Sequence, residues 1–332
     1  MNNALSASTH RQVIEDCFAD KPGSRVPVSL WRHFPVDDQD AGRLAAAVAA
    51  FQDQFDFDFI KVTSASSFCT KDWGSKDTWK GNPEGTREYE NKVINRPEDW
   101  LRLRKLDPHK GHLKDQLTCL SLLTKKYSPA TPIIQTIFSP LAQAKNLVGK
   151  ANLEVQMRLY PDALAQGLKT ITETTIDFVE ACKDTGIDGF FYAVQHAQAN
   201  LLNLQEFLLF QKKYDLQILQ TMQDKWLNVA HFHGENIYFD NMLDYPAQIF
   251  NWHDRETYPT LKEAQAKFSG TACGGLRQWE TLAYGTPETI LAEARDAIRS
   301  TQHHKFILGT GCVTPIIAPY GNIMAVRRAV EE

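Results

Sequence analysis

His231 and His233 are separated by a single residue. They follow a short apolar run, Trp226 to Ala230, and precede Gly234 and Glu235. A run of this kind reads as a buried strand, and side chains two apart on a strand point the same way. The two imidazoles therefore share one side of the chain, where the strand gives way to a glycine-bearing loop. Imidazoles so placed are half of a metal site, an acid/base pair with its support, or two hydrogen-bonded structural histidines. The elements that position them help to choose.

The chain has 332 residues, room for two average domains or one α/β barrel. Its apolar runs read as eight short strands: 26–31, 58–62, 132–138, 186–194, 226–230, 247–252, 271–275 and 305–309. Helical patterns fall at 10–18, 37–55, 98–106, 110–127, 140–149, 158–184, 204–222 and 321–330. Strands alternating with helices imply a parallel sheet, and eight such units imply closure. An open doubly wound sheet would carry a glycine-rich phosphate loop after its first strand, where this chain has Arg32-His33-Phe34-Pro35. The expected fold is α/β: a single (β/α)8 TIM barrel over 1–332, with an N-terminal helix and a long insertion after the second strand. That insertion, 69–98, is too long for a plain connection and carries Trp73, Trp79 and Tyr89, so it is expected to form an ordered lid.

Bulk properties exclude several roles. A formal net charge of -4 supplies no basic field for nucleic acid. No apolar run approaches the length of a membrane span. Met1 to Arg11 is polar and lacks an apolar signal region, which makes a cytoplasmic protein the expectation. The six cysteines show no CxxC spacing and read as reduced thiols.

Barrel enzymes carry their chemistry at the C-terminal ends of the strands. Those ends hold five of the ten histidines, a concentration that loop polarity alone does not require. His231, His233 and Cys312 offer two imidazoles and a thiolate, a zinc-type set with one position left for substrate. Gly234 and Gly311 beside them would leave space for a substrate atom. Arg32, His33, Glu235, His253 and Asp254 are the candidates for catalysis. Glu235 suits a ligand, an orienting partner or a solvated carboxylate, and His253-Asp254 reads as an imidazole with its orienting carboxylate or as a structural pair. Arg32, Thr63, Ser64, Gln195, His196 and Trp73 are the candidates for substrate binding. Arg32 has a fork that fits a carboxylate, and equally one that closes a salt bridge. Trp73 can cover a flat ligand or pack beneath its own loop.

The chain resembles the uroporphyrinogen decarboxylase superfamily over almost its whole length. The resemblance is carried by Arg25-Val26-Pro27-Val28, Phe57-Asp58-Phe59-Ile60-Lys61, Ser139-Pro140 and Thr185-Gly186-Ile187-Asp188-Gly189. Gly274-Gly275-Leu276, Gly285-Thr286-Pro287-Glu288, Ile307-Leu308-Gly309-Thr310-Gly311-Cys312 and Pro319-Tyr320-Gly321-Asn322-Ile323 extend it. Decarboxylases of this superfamily carry Arg-Gln-x-x-x-Arg after the first strand, an aspartate at the end of the second and a histidine near the end of the eighth. Here those places hold Arg32-His33-Phe34-Pro35-Val36, Thr63-Ser64 and Gly311. The methyltransferase branch carries zinc on His-x-Cys after strand five and Cys after strand eight. Here His231-Phe232-His233 and Cys312 stand there, with histidine in place of the middle cysteine.

The resemblance implies a zinc-dependent methyltransferase that passes a methyl group between a corrinoid, carried on a partner protein, and a thiol or small methylated substrate. It further implies a monomer or homodimer. The rival expectations are a uroporphyrinogen-type decarboxylase that uses Arg32 on substrate carboxylates, and a non-catalytic corrinoid- or porphyrin-binding protein.

Overall fold

The computed structural model describes residues 8–331, so residues 1–7 of the polar N-terminal stretch lie outside the described residues. Seven strands form one sheet whose neighbours are all parallel: β1 (Ile60–Val62), β4 (Ile133–Phe138), β5 (Gly189–Val194), β6 (Val229–Phe232), β7 (Ile249–Trp252), β8 (Thr271–Leu276) and β9 (Phe306–Thr310). β2 (Asp77–Thr78) and β3 (Glu88–Tyr89) pair only with each other, as a hairpin inside the insertion. The expected first strand is the eighth stave. It shows one parallel bridge, Val28 to Leu308.

Hydrogen bonds on both sides of this segment close the barrel. Leu308 N donates to Pro27 O at 2.8 Å and Ser29 N to Leu308 O at 3.0 Å, while on the other side Asp58 N donates to Val28 O at 2.9 Å. The buried Asp58 carboxylate fixes the start of the segment, accepting from Val28 N at 2.8 Å and from both guanidinium nitrogens of Arg25. The chain is a (β/α)8 barrel. Every strand of the seven-stranded sheet is buried along its length, as a sheet covered by helices on one side and filled by side chains on the other requires.

The helices follow their start and stop signals. Asp40 caps Ala41–Phe55 by accepting from Arg43 N, and Asp56 ends it in the left-handed conformation. Three features depart from the sequence expectation. The 140–184 region is three helices, Pro140–Val148, Lys150–Leu159 and Pro161–Lys183, broken where Gly149 takes positive φ and where Pro161 starts a new first turn. Two helices the apolar pattern does not announce, Leu261–Gln265 and Pro287–Thr301, occupy the connections after β7 and β8. Gln278–Ala283, directly after β8, winds as a π-helical turn.

Candidate metal centre

In a parallel barrel, residues paired across neighbouring strands share a side, so one inward residue fixes the rest. His231 pairs with Ala193 on β5 and Asn251 on β7, and Asn251 pairs with Cys273 on β8. Two residues on from His231 and Asn251, His233 and His253 reach the C-terminal mouth. Cys312 arrives from the loop after β9. Its Sγ lies 3.8 Å from His231 Nε2 and 3.6 Å from His233 Nδ1. One ligand atom from each residue lies within 4.8 Å of the other two.

These spacings suit a common ion. Zn–N bonds of about 2.0–2.1 Å and a Zn–S bond of about 2.3 Å in a tetrahedron put N and S about 3.5 Å apart. The hydrogen bonds around His231 also choose its tautomer. Asn251 Nδ2 donates to Cys273 O at 2.9 Å and to Thr310 O at 3.0 Å, which turns its carbonyl oxygen toward His231 Nδ1, 2.7 Å away. That nitrogen must therefore carry the proton, leaving the Nε2 lone pair aimed at Cys312. Burial, with the neighbouring imidazoles, drives the proton affinity of His231 well below the ordinary imidazole value, and burial lowers that of His233. Both rings are thus neutral, as ligands must be. Donor type, spacing and tautomer fit a zinc-type ion.

The flanking glycines serve chain packing rather than substrate space. A Cβ on Gly311 would stand 2.7 Å from His253 Cα and 2.8 Å from Trp252 O, so glycine is what lets the Cys312 loop lie against β7. A Cβ on Gly234 would meet the Gln198 side chain at 2.2 Å. The room they were expected to leave is already filled.

The alternation of the strand ends divides the other candidates. His33, Thr63 and His253 face the barrel; their sequence neighbours Arg32, Ser64 and Asp254 do not. His253 Nε2 is 3.5 Å from His233 Nδ1. His33 is buried, its Nδ1 without a partner and its pKa pushed down to about 3 by burial and then by Lys61. Thr63 Oγ1 accepts from Lys61 Nζ at 3.2 Å. Arg32 instead lies over Phe34, which packs on Phe51 of helix Ala41–Phe55. Ser64 donates to Gln116 of helix Gly111–Tyr127 at 2.6 Å and accepts from Gln135. Asp254 accepts from Gly275 N at 3.0 Å, and burial raises its pKa to about 7. His253 and Asp254, open to reading as an imidazole with its orienting carboxylate or as a structural pair, face different partners, because consecutive residues leave the strand on opposite sides.

The loop candidates are similarly split. His196 faces Lys145 and His233, with burial first among the causes that bring its pKa to about 3 and its Nδ1 unpartnered. Gln195 is half-buried beside it, and its carbonyl accepts from Gln198 Nε2. Glu235 is exposed and outside the ligand group. Trp73 packs beneath its own insertion, donating to Arg104 O at 2.8 Å and lining a hollow with Val93 and Leu103. It does not reach the mouth residues. A hollow of 1070 Å³ lies at the opposite end of the barrel, between Arg25–Pro27 and residues 302–304, and holds none of the candidates.

Two inward residues escape a search confined to strand ends. One is Asn251. The other is Lys61, buried in the barrel with Nζ 4.4 Å from the centre of the Phe191 ring, which stacks on His231. Among the described residues no carboxylate pairs with it, and burial, opposed only by the charge of Cys312, brings its pKa to about 7. Both stand two residues before an inward mouth residue, on apolar strands where a polar side chain is out of place.

Fold and site together define a (β/α)8 barrel with a candidate metal centre at the C-terminal ends of its strands. The model of the uroporphyrinogen decarboxylase (URO-D) family matches residues 33–332, and the chain belongs to that family. No curated protein sequence matches it. Among solved structures, a methyltransferase from Methanosarcina mazei superposes with a TM-score of 0.84 at 18% identity, covering 98% of both chains. A B12-independent methionine synthase from Shewanella sp. W3-18-1, in complex with selenomethionine, gives 0.62 at 12% identity, covering 92% of this chain and 97% of that one. The putative vitamin-B12 independent methionine synthase of Listeria monocytogenes gives 0.53 at 11% identity, covering 92% and 95%. At these identities the likeness is one of fold.

Proposed function

We propose that this chain is a zinc-dependent methyltransferase that moves a methyl group between a corrinoid, presented by a partner protein at the barrel mouth, and a thiol or small methylated compound. The observation that carries the reading is the convergence of His231 Nε2, His233 Nδ1 and Cys312 Sγ at ligand spacing, with Asn251 fixing the His231 tautomer. Zinc held there supplies Lewis acidity that keeps a substrate thiol ionised at neutral pH. The protein does the positioning. Neutral His231 and His233 and a Cys312 thiolate would hold the ion and leave room for a substrate thiol beside them. Phe191, stacked on His231, and Trp31 wall the site from below and exclude water. The 69–98 insertion serves as the lid. The fold likeness to a protein described as a methyltransferase supports the same branch.

The test is metal analysis of protein purified without a histidine tag, followed by methyl transfer from methylcobalamin to a thiol before and after chelation. Near-stoichiometric zinc and chelator-sensitive transfer support the reading. Chelator-insensitive release of carbon dioxide from uroporphyrinogen would replace it with decarboxylation.

A further inference from the structure

The tip of the 69–98 insertion is wedged between two loops of the barrel mouth, and one of those loops carries Cys312. The tip turns tightly around Asn82, whose backbone carbonyl accepts from Gly85 N at 2.8 Å and from Trp79 Nε1 at 3.2 Å. Gly85 ends the turn and is buried. Its φ is +82°, and a Cβ there would stand 2.6 Å from His33 Cβ, 3.4 Å from Pro35 Cδ and 3.0 Å from Ile316 Cγ2. His33 and Pro35 belong to the loop that follows Trp31, and Ile316 to the loop that follows β9. Pro83 O accepts from Ile316 N at 2.8 Å. Glu84 accepts from Gln278 Nε2 at 3.2 Å, at the start of the π-helical turn after β8.

The two loops also hold each other. Thr314 N, two residues beyond Cys312, donates to Trp31 O at 2.7 Å, and both residues are buried. On the strand side, the Cys312 carbonyl accepts from Thr310 Oγ1 at 2.6 Å. The ligand loop is thus attached to β9, to Trp31 and, through Ile316, to the insertion tip. The third attachment is made by an element that can lift. The root of the insertion is fastened by Arg87, which reaches Asp77 at 2.9 Å and Asp38 at 3.6 Å, and by Lys71, 3.3 Å from Asp77. Beyond that root the hairpin pairs two residues of β2 with two of β3. So short a ladder is weak, and the tip can leave the mouth while the root stays in place.

We infer that the insertion tip positions Cys312 as a metal ligand, so that closing the lid and holding the ion are coupled. With the tip docked, the Cys312 loop is pinned at Thr310, Thr314 and Ile316, and the thiolate stays beside His231 and His233. With the tip lifted, the loop loses one of those attachments and the centre loosens. Pro83 and Gly85 are positioning residues, and their effect on the ion passes through the loop. This rests on the metal reading of Cys312 above.

The experiment compares Gly85→Ala with Gly81→Ala. Gly81 lies in the same turn with φ of +83°, but a Cβ on it would meet no described atom within 4 Å. Both variants strain the turn alike, and Gly85→Ala alone also blocks docking. Zinc affinity, measured by competition with a chromogenic chelator, is expected to fall about tenfold or more in Gly85→Ala relative to Gly81→Ala, with similar unfolding midpoints for the two metal-free proteins. In the cobalt(II)-loaded protein the Cys312 thiolate-to-cobalt absorption band should weaken with it, which strain confined to the turn would not cause. Equal affinities in the two variants overturn the inference. A second measurement needs no tip variant. Coupling is reciprocal, so zinc should hold the tip down by the same factor and slow trypsin cleavage after the exposed Lys80 about tenfold. Zinc should give no such protection in Cys312→Ala. Zinc that binds the wild-type protein without protecting Lys80 overturns the coupling and leaves the metal reading intact. Wild-type protein that takes up neither zinc nor cobalt overturns both.

Discussion

Asn251 Oδ1 and His231 Nδ1 stand 2.7 Å apart at the centre of the barrel, and the amide nitrogen of the same asparagine spans the carbonyls of Cys273 and Thr310. One side chain thus ties β6, β7, β8 and β9 together and sets which histidine nitrogen is free. Partners of this kind typically contribute about 10- to 100-fold to metal affinity. Asn251→Ala is therefore expected to weaken zinc binding by about that factor in competition with a chromogenic chelator, whereas Cys312→Ala should abolish stoichiometric binding. Unchanged zinc affinity in Asn251→Ala would remove the tautomer argument.

His233 occupies a position facing both Cys312 Sγ, at 3.6 Å, and His253 Nε2, at 3.5 Å. Replacing it by cysteine exchanges a neutral ligand for an anionic one. His233→Cys should bind zinc more tightly, on the order of tenfold, because a thiolate is the softer and more charged donor. The added negative charge should also make the metal a weaker Lewis acid, so that thiol ionisation in the cobalt form moves to higher pH. Unchanged zinc affinity together with an unshifted thiol titration would show that His233 is not a ligand.

Lys61 is a buried cation that folding must desolvate, with its pKa falling from 10.5 to about 7. A base depressed in the folded state contributes stability that is fully present above its unfolded value and is lost as pH falls toward the folded one. At pH 7 most of that contribution is gone. Lys61→Met should therefore stabilise the fold at neutral pH, by about 1–3 kcal/mol, with the gain shrinking as pH approaches 10.5. Denaturant midpoints of the two proteins across that range measure it. A destabilised methionine variant would mean that the ammonium is already partnered.

Most of the barrel is legible in the sequence because each stave is an apolar run ended by polar residues. The His231–His233–Cys312 group is legible because spacing and strand order put the three residues at one mouth. The parity of the strand ends could have been applied further. Counting in twos from His231 and its partners separates His33 from Arg32, Thr63 from Ser64 and His253 from Asp254, and points to Lys61 and Asn251 one step inside. Helix Pro287–Thr301 likewise announces its start in Thr286 and Pro287 even though its apolar stripe is thin. Glu84 and Gln278 are different. They are brought together across 194 residues by a docked loop tip and a π-turn, and no local pattern encodes either.

Asp254 lies in the wall between β7 and β8, where it accepts from Gly275 N through one oxygen and leaves the other buried without a hydrogen bond, 4.0 Å from Arg255 Nε. Burial raises its pKa from 3.8 to about 7. An acid whose folded value is raised contributes stability that is complete below the unfolded pKa and is lost as pH rises through the folded one, so the wild-type protein should weaken between pH 3.8 and about 7. Asp254→Asn keeps the acceptor for Gly275 N and cannot ionise. It is expected to match the wild type near the acid end of that window and to exceed it in stability above pH 7, by about 1–3 kcal/mol. Unfolding midpoints taken along the same pH series decide the matter. A variant less stable at every pH would mean that the carboxylate, held charged by the nearby Arg255, is the form the fold uses.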